Sequence, residues 1–298
     1  MRRGGAVWMG SVSPTRPIHT APLLVTGAAG KTGLAVIRAL AKRQTAVRAL
    51  IRRESQRESV MAAGASSVVV GDMMKTAVYY QAAANCRAIY HICPNMHPDE
   101  IENGRVAIAA AQAAAVQQFV YHSVMHPHIE AMPHHWRKMR VEELLFASGL
   151  PCTILQPAAY MQNISASWPQ ITGNGIYRGL YRVPYAITAP FTLVDLHDVA
   201  QAAATVLCED GHIGGIYELA GAERLTPAQM AAAMEQQLSQ SVRAEQVIVP
   251  PDTPKPLRQM FDYYDQHGFV GGGWVLAHLL KRPSTSFASF LRRLKNNS

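Results

Sequence analysis

The chain reads as an α/β protein: a doubly wound parallel sheet of the Rossmann type with a smaller C-terminal substrate lobe. Three observations predict this. A strand-like run at residues 23–26 passes directly into glycines spaced GxxGxxG, and strand and helix patterns then alternate as far as residue 122. The third is composition: 298 residues, 49% hydrophobic and only 16% charged, can bury a large core. The expected division is a disordered arm over 1–20, a dinucleotide-binding domain over 21–160 and a mixed lobe over 161–298. Residues of about 190–220 return from the lobe to the first domain.

Residues 23–26 (Leu-Leu-Val-Thr) suit a parallel strand buried on both faces. Leu34, Ile37, Leu40 and Ala41 recur at helical spacing, which predicts a helix from Thr32 to about Arg43, and residues 46–51 predict the second strand. A helix near 56–63, a strand at 67–70, a helix near 75–84 and a strand at 87–92 follow. A long Ala-rich helix over about 98–115 leads to a strand at 118–122. Residues 136–148 read as a helix stopped by Gly149, and 152–155 as another strand. From 168 to 189 the chain is rich in Gly, Pro and Tyr, which predicts loops rather than regular sheet. An amphipathic helix at 196–208 and a strand at 216–219 come next, and Thr226 and Pro227 open a further helix as N-cap and N1.

No apolar stretch approaches the ~20 residues of a membrane-spanning helix. The basic start, Met1 to Met9, has too short an apolar part for the ~7–15 residues of a signal h-region, so a cytoplasmic protein is expected. The Ser-, Thr- and Pro-rich stretch that follows is expected to be dispensable, with Met9 an alternative start. Cys86, Cys93, Cys152 and Cys208 have no metal-ligand spacing and read as reduced, buried small hydrophobes. The formal charge of +8 sits at the two ends, since residues 1–53 and 281–298 hold bases and no acid. Lys31, Arg48, Arg52 and Arg53 fall inside the dinucleotide-binding unit, which points to a polyanionic small ligand and not to nucleic acid. A homodimer or a regulatory protein partner is left open.

Gly27, Gly30 and Gly33 are the residues a dinucleotide fold needs. The first permits the sharp turn, the second lets backbone approach a pyrophosphate, and the third lets helix pack on strand. Lys31 and Thr32 complete the turn. At the end of the second strand an NAD enzyme places Asp or Glu for the ribose; here the chain reads Leu50, Ile51, Arg52, Arg53, with no acid before Glu54. Arg52 is placed to fork onto a 2′-phosphate, with Arg53 or Lys31 as helper, so NADP(H) is expected in preference to NAD(H).

Several collinear segments resemble the NmrA-like branch of atypical short-chain dehydrogenases/reductases. They are the glycine turn, Gly71-Asp72-Met73, the run from Lys138 to Leu145, Thr153 to Pro157 with Tyr160 to Asn163, Val194 to Ala200, Tyr217 to Gly221, and Arg282 to Phe287. The resemblance implies that Asp72 and Met73 border the adenine and that Ile92, Cys93 and Pro94 line the cofactor, with Pro157 and Tyr160 beside it. It implies that Ser123 stands at the catalytic serine and Lys138 at the lysine of the Tyr-x-x-x-Lys motif. The tyrosine is absent, and His134 occupies its place.

If Pro133 starts that helix, His134 and Lys138 lie one turn apart on one face. The ammonium can hold ribose hydroxyls, and an imidazole with an unperturbed pKa near ~6.5 can donate or relay a proton. The implied activity is reduction of a quinone, imine or enone by NADP(H); the alternative is a non-catalytic, cofactor-sensing regulator. His122, His126, His128, His134 and His135 lack a metal motif and read as surface or loop residues. Tyr160, Met161, Trp168, Tyr177, Tyr181 and Tyr185 line an apolar pocket or form lobe core. Asp195 and Asp198 read as N-terminal partners of the 196–208 helix.

Overall fold

The computed structural model describes residues 21–296, so the expected arm over 1–20 lies outside the described residues. The first half alternates strictly: β1 (Leu23–Val25), α1 (Lys31–Lys42), β2 (Val47–Ile51), α2 (Arg57–Ala62), β3 (Ser67–Val70), α3 (Thr76–Ala83) and β4 (Ala88–His91). Then come α4 (Glu100–Ala113), β5 (Gln118–His122), α5 (Pro133–Ala147) and β6 (Cys152–Pro157). The second half holds α6 (Trp168–Thr172), β7 (Leu180–Val183), β8 (Phe191–Thr192), α7 (Leu196–Cys208), β9 (Ile216–Leu219), β10 (Arg224–Leu225) and α8 (Pro227–Leu238). It closes with β11 (Arg243–Gln246), α9 (Lys255–His267), α10 (Trp274–Leu280) and α11 (Phe287–Asn296).

Seven parallel strands form the sheet in the order β3-β2-β1-β4-β5-β6-β9, which is the doubly wound arrangement expected. Burial on both faces explains why the central strands read as continuous apolar runs. Successive side chains of β1 go to opposite faces: Leu23 and Val25 join the core under α1 and α7, whereas Leu24 joins the core under α3, α4 and α5. α7 packs on α1, and β9 adds to the free edge of β6 with Ile154 opposite Ile216.

Regular structure exceeds the sequence reading in two places. The 168–189 stretch, expected to be loop, contains α6 and β7, and β7 pairs in parallel with β11 from much later in the chain. Such long-range pairing leaves no local periodicity. After α8 come three further helices for which no expectation was formed. α5 begins at Pro133, which is N1 of the helix, so the condition for His134 and Lys138 to share a face is met.

The C-terminal segment is tied to the first turn of α7. The Asp195 carboxylate caps that helix, accepting from the His197 amide at 2.9 Å and from Gln162 Nε2 at 2.8 Å, and pairs with Arg293. Asp198 accepts from Arg282 Nη2 at 2.6 Å and from the Thr285 amide at 2.6 Å. Asp195 thus has the capping role expected, and Asp198 anchors the segment that leads into α11.

Candidate active site

A cavity of about 960 Å³ opens along the carboxyl ends of the sheet strands. It begins at the β1–α1 turn. Gly27 sits at φ +57°, and a Cβ there would meet the Ile92 carbonyl at 3.0 Å. At Gly33 a Cβ would lie 2.4 Å from the Gly27 carbonyl oxygen, so that glycine is needed for helix α1 to close on the turn. A Cβ at Gly30 meets only the Gly27 carbonyl, at 3.2 Å. α1 has no side-chain cap and no acid in its first turn, and Gly30, Lys31 and Thr32 line the cavity. Backbone donors and a positive helix end therefore face the open space, which suits a phosphate.

Arg52, at the end of β2, also lines the cavity, as do Asp72, Met73, Ile92, Cys93, Pro94, Pro157 and Tyr160. Gln56 fixes this corner: its Oε1 accepts from the Arg52 and Arg53 amides, each at 3.0 Å. Glu54, the first acid after β2, is engaged by Arg57 and is not a lining residue. Arg53, exposed like Arg52, is not among the lining residues. The Arg48 guanidinium is turned to the Ala82 and Ala84 carbonyls, to which it donates at 3.0 and 2.6 Å. Burial pushes the Cys93 thiol up, so it stays protonated and unreactive.

Further along the same cavity stand Ser123, His134 and Lys138, the three residues expected to carry catalysis. Lys138 Nζ donates to Glu100 Oε1 at 2.9 Å and to the His122 carbonyl at 3.3 Å, which leaves the third N–H of the ammonium for a ligand. Burial alone would raise the Glu100 pKa, but the Lys138 charge and the hydroxyl of Tyr121, 2.8 Å away, outweigh it and hold the carboxyl below its ordinary range. The pair is therefore ionised. Ser123 Oγ is hydrogen-bonded to Glu142 Oε1, and Gln156 Nε2 donates to both Glu142 oxygens at 3.0 Å. Burial raises the Glu142 pKa, more than the Ser123 and Gln156 bonds and the Lys138 charge lower it.

His126 and His128 lie in a loop as expected, but three of the five histidines differ from the expected surface or loop placement. His122 is buried between two tyrosines, its Nδ1 2.7 Å from Tyr90 OH and its Nε2 2.9 Å from Tyr160 OH. His134 and His135 are buried as well. Burial, with the Lys138 charge second for His134, pushes the imidazoles of His134 and His135 down to about 4 and about 3. The expected unperturbed imidazole is thus absent: His134 is neutral at pH 7 and carries one ring N–H, without the second proton of an imidazolium. Among the described residues no group of three His, Cys, Asp or Glu side chains is placed to hold a metal ion.

The other end of the cavity is apolar. Tyr181, Tyr185, Phe191, Tyr264 and Phe269 line it, with Leu257, Met260 and Phe261 from α9. Of the six residues weighed as pocket or core, Tyr160, Tyr181 and Tyr185 line the cavity, Met161 and Trp168 are core, and Tyr177 lies under the Arg182 guanidinium. The sequence reading missed Glu100, Glu142, Gln156 and the α9 residues. One signal was available: His134, Lys138 and Glu142 recur every four residues and so form one polar stripe along the helix.

Residues 19–273 match the NmrA-like family. The chain belongs to this family. A (4-alkanoyl-5-oxo-2,5-dihydrofuran-3-yl)methyl phosphate reductase of Streptomyces griseus is 33% identical to this NmrA-like protein over 228 residues, 76% of this chain and 77% of the relative. The NADPH-dependent quinone oxidoreductase of Escherichia coli, solved with NADPH, matches its fold with a TM-score of 0.81 at 25% identity, over 92% of this chain and 100% of that one. NmrA, a negative transcriptional regulator solved with NADP, gives a TM-score of 0.78 at 19% identity over 93% and 98% of the two chains, a likeness of fold alone.

Proposed function

We propose that this NmrA-like protein is an NADPH-dependent reductase that transfers hydride to a small, planar, apolar electrophile such as a quinone, an imine or an enone. The observation that carries the reading is the continuity of the cavity: one space joins the glycine turn and Arg52 to the buried Lys138 cluster and to an aromatic-lined end. That end suits a flat apolar ring, and the volume is near the top of the ~300–1,000 Å³ range for a single ligand pocket, room for a cofactor and a small acceptor together.

The residues fit the cofactor. The side-chain-free backbone at Gly30 and the uncapped start of α1 would hold a pyrophosphate, Arg52 a 2′-phosphate, and the free N–H of Lys138 the ribose hydroxyls. With no free acid at the end of β2, the ribose end of the site favours NADPH over NADH. Bound NADPH would supply the two electrons of reduction as hydride. The named activities of the Streptomyces and Escherichia relatives support a reductase.

NADPH oxidation by the purified protein, followed against a panel of quinones, dyes, imines and enones, tests the reading; turnover with at least one is expected. His134 at the tyrosine position favours a second reading, a cofactor-sensing regulator. Tight NADPH binding with no acceptor reduced would establish that reading instead.

A further inference from the structure

Reduction of a carbonyl-type acceptor consumes a proton as well as a hydride, and this site lacks the tyrosine that would donate it. His134 and His135 are neutral, and the Nδ1 of His134 is buried with no hydrogen-bond partner among the described residues. Lys138 donates to Glu100 and the His122 carbonyl, and the reductase reading gives its third N–H to the ribose hydroxyls. Ser123 lines the cavity, and behind it lies a carboxyl group that no part of the reductase reading uses. We propose that Glu142, acting through Ser123, supplies the proton for the reduction. This inference rests on the reductase reading and names the source of its second reactant.

The geometry permits two hydrogen arrangements. With Glu142 ionised, the Ser123 hydroxyl donates to the carboxylate and offers the cavity only a lone pair. With Glu142 protonated, the carboxyl donates to Ser123 Oγ, and the serine hydrogen is free to turn toward an acceptor in the cavity. In the step itself the acceptor gains the hydride, and its developing oxyanion takes the Ser123 proton while Ser123 Oγ takes the Glu142 proton. One O–H bond forms and one breaks at the serine, Glu142 is left as carboxylate, and water reprotonates it between turnovers.

Gln156 Nε2 holds both carboxyl oxygens, so the group faces Ser123 in either state. The charged and titratable groups around Glu142 are Lys138 on its own helix and Tyr121 on β5, with Glu100 of α4 behind Lys138. The Ser123 and Gln156 hydrogen bonds and the Lys138 charge favour the ionised form, and that charge is already countered by Glu100. Glu142 is 3% exposed, so burial dominates and keeps a carboxyl proton available above the ordinary carboxylate range. Glu142 is a positioning and proton-storing residue, and Ser123 is the group that touches the acceptor.

Two measurements test this on the intact protein. The first is the carboxylic C=O infrared band as a function of pH, in wild type and in Glu142→Gln. A band that persists above the ordinary carboxylate range and that the variant lacks is expected, and its absence overturns the proposal whatever the activity. The second compares a quinone, which needs a proton, with a cationic triarylmethane dye, which hydride alone neutralises. The quinone-to-dye rate ratio should fall about 100-fold in both Glu142→Gln and Ser123→Ala, the lower end of what a positioned general acid contributes. The alkaline fall in quinone turnover should vanish in Glu142→Gln and return, displaced, in Glu142→Asp. An unchanged ratio with active enzyme overturns the relay alone. If no member of the wider panel of quinones, dyes, imines and enones is reduced, the reductase reading fails and the relay falls with it.

Discussion

Gly30 and Gly33 stand three residues apart in the same turn and differ in what a side chain would meet. A Cβ at Gly33 runs into backbone oxygens at 2.4 and 2.6 Å, so Gly33→Ala should destabilise the fold by about 1–3 kcal/mol, an overpacking cost read from thermal unfolding. At Gly30 the one neighbour is a carbonyl at 3.2 Å, which can give slightly. Gly30→Val should therefore leave the melting temperature close to wild type while abolishing NADPH binding by calorimetry. Retained affinity would remove the argument that this backbone cradles a phosphate. Arg52 offers a second test. A charge-assisted hydrogen bond contributes ~1.5–3 kcal/mol, so Arg52→Ala should weaken NADPH by roughly one to two orders of magnitude and leave NADH nearly unaffected. The NADPH loss should shrink at high salt. Equal loss for both cofactors would show that Arg52 does not read the 2′-phosphate.

The segment from Arg282 to Thr285 is held to the body by polar bonds, to Asp198, Gln201 and the Ala222 amide. Arg282→Ala should lower stability by about 1.5–3 kcal/mol, the value of a hydrogen bond to a charged group, seen as a shift in the urea midpoint. An unmoved midpoint would mean that α11 docks without Arg282, through Phe287, Phe290 and Leu291 and the Arg293–Asp195 pair. Elements with a strong local pattern were legible in the sequence. The run of β1 before its glycine turn, the 3.6-residue spacing of Leu34, Ile37 and Leu40, and the Thr226–Pro227 opening of α8 each dictate structure within a few residues. β7 and β11 were not legible, because each exists only by pairing with a partner far along the chain. The same limit governed the site. Arg52 and the glycines announce themselves by neighbours in sequence, whereas Glu100 meets Lys138 only once α4 has packed on α5.

Four buried histidines couple the whole fold to pH. Burial is the first cause at each, and it pushes His91 and His134 down to about 4 and His122 and His135 to about 3. A histidine whose pKa falls on folding is protonated first in the unfolded chain, so stability is lost as pH drops below ~6.5 toward those values. Each contributes a slope of at most about 1.4 kcal/mol per pH unit in that window. The raised pKa of Glu142 opposes them as a single group, and the lowered carboxyls of Glu100 and Asp195 act only at more acid pH. The unfolding midpoint should therefore fall steadily from pH 6.5 to 4.5; a constant midpoint would mean that these imidazoles are open to water.

The position of β9 in the sheet has a consequence for synthesis. β6 is complete at residue 157, yet the strand that covers its outer edge ends at Leu219, after the whole of α7. While the ribosome makes the intervening residues, β6 presents an unpaired row of amides and carbonyls, and the face of α1 that α7 will cover stays bare. The nascent chain thus passes through an interval in which its sheet is open to self-association, and chaperones that shield strand edges should raise the soluble yield most during that interval.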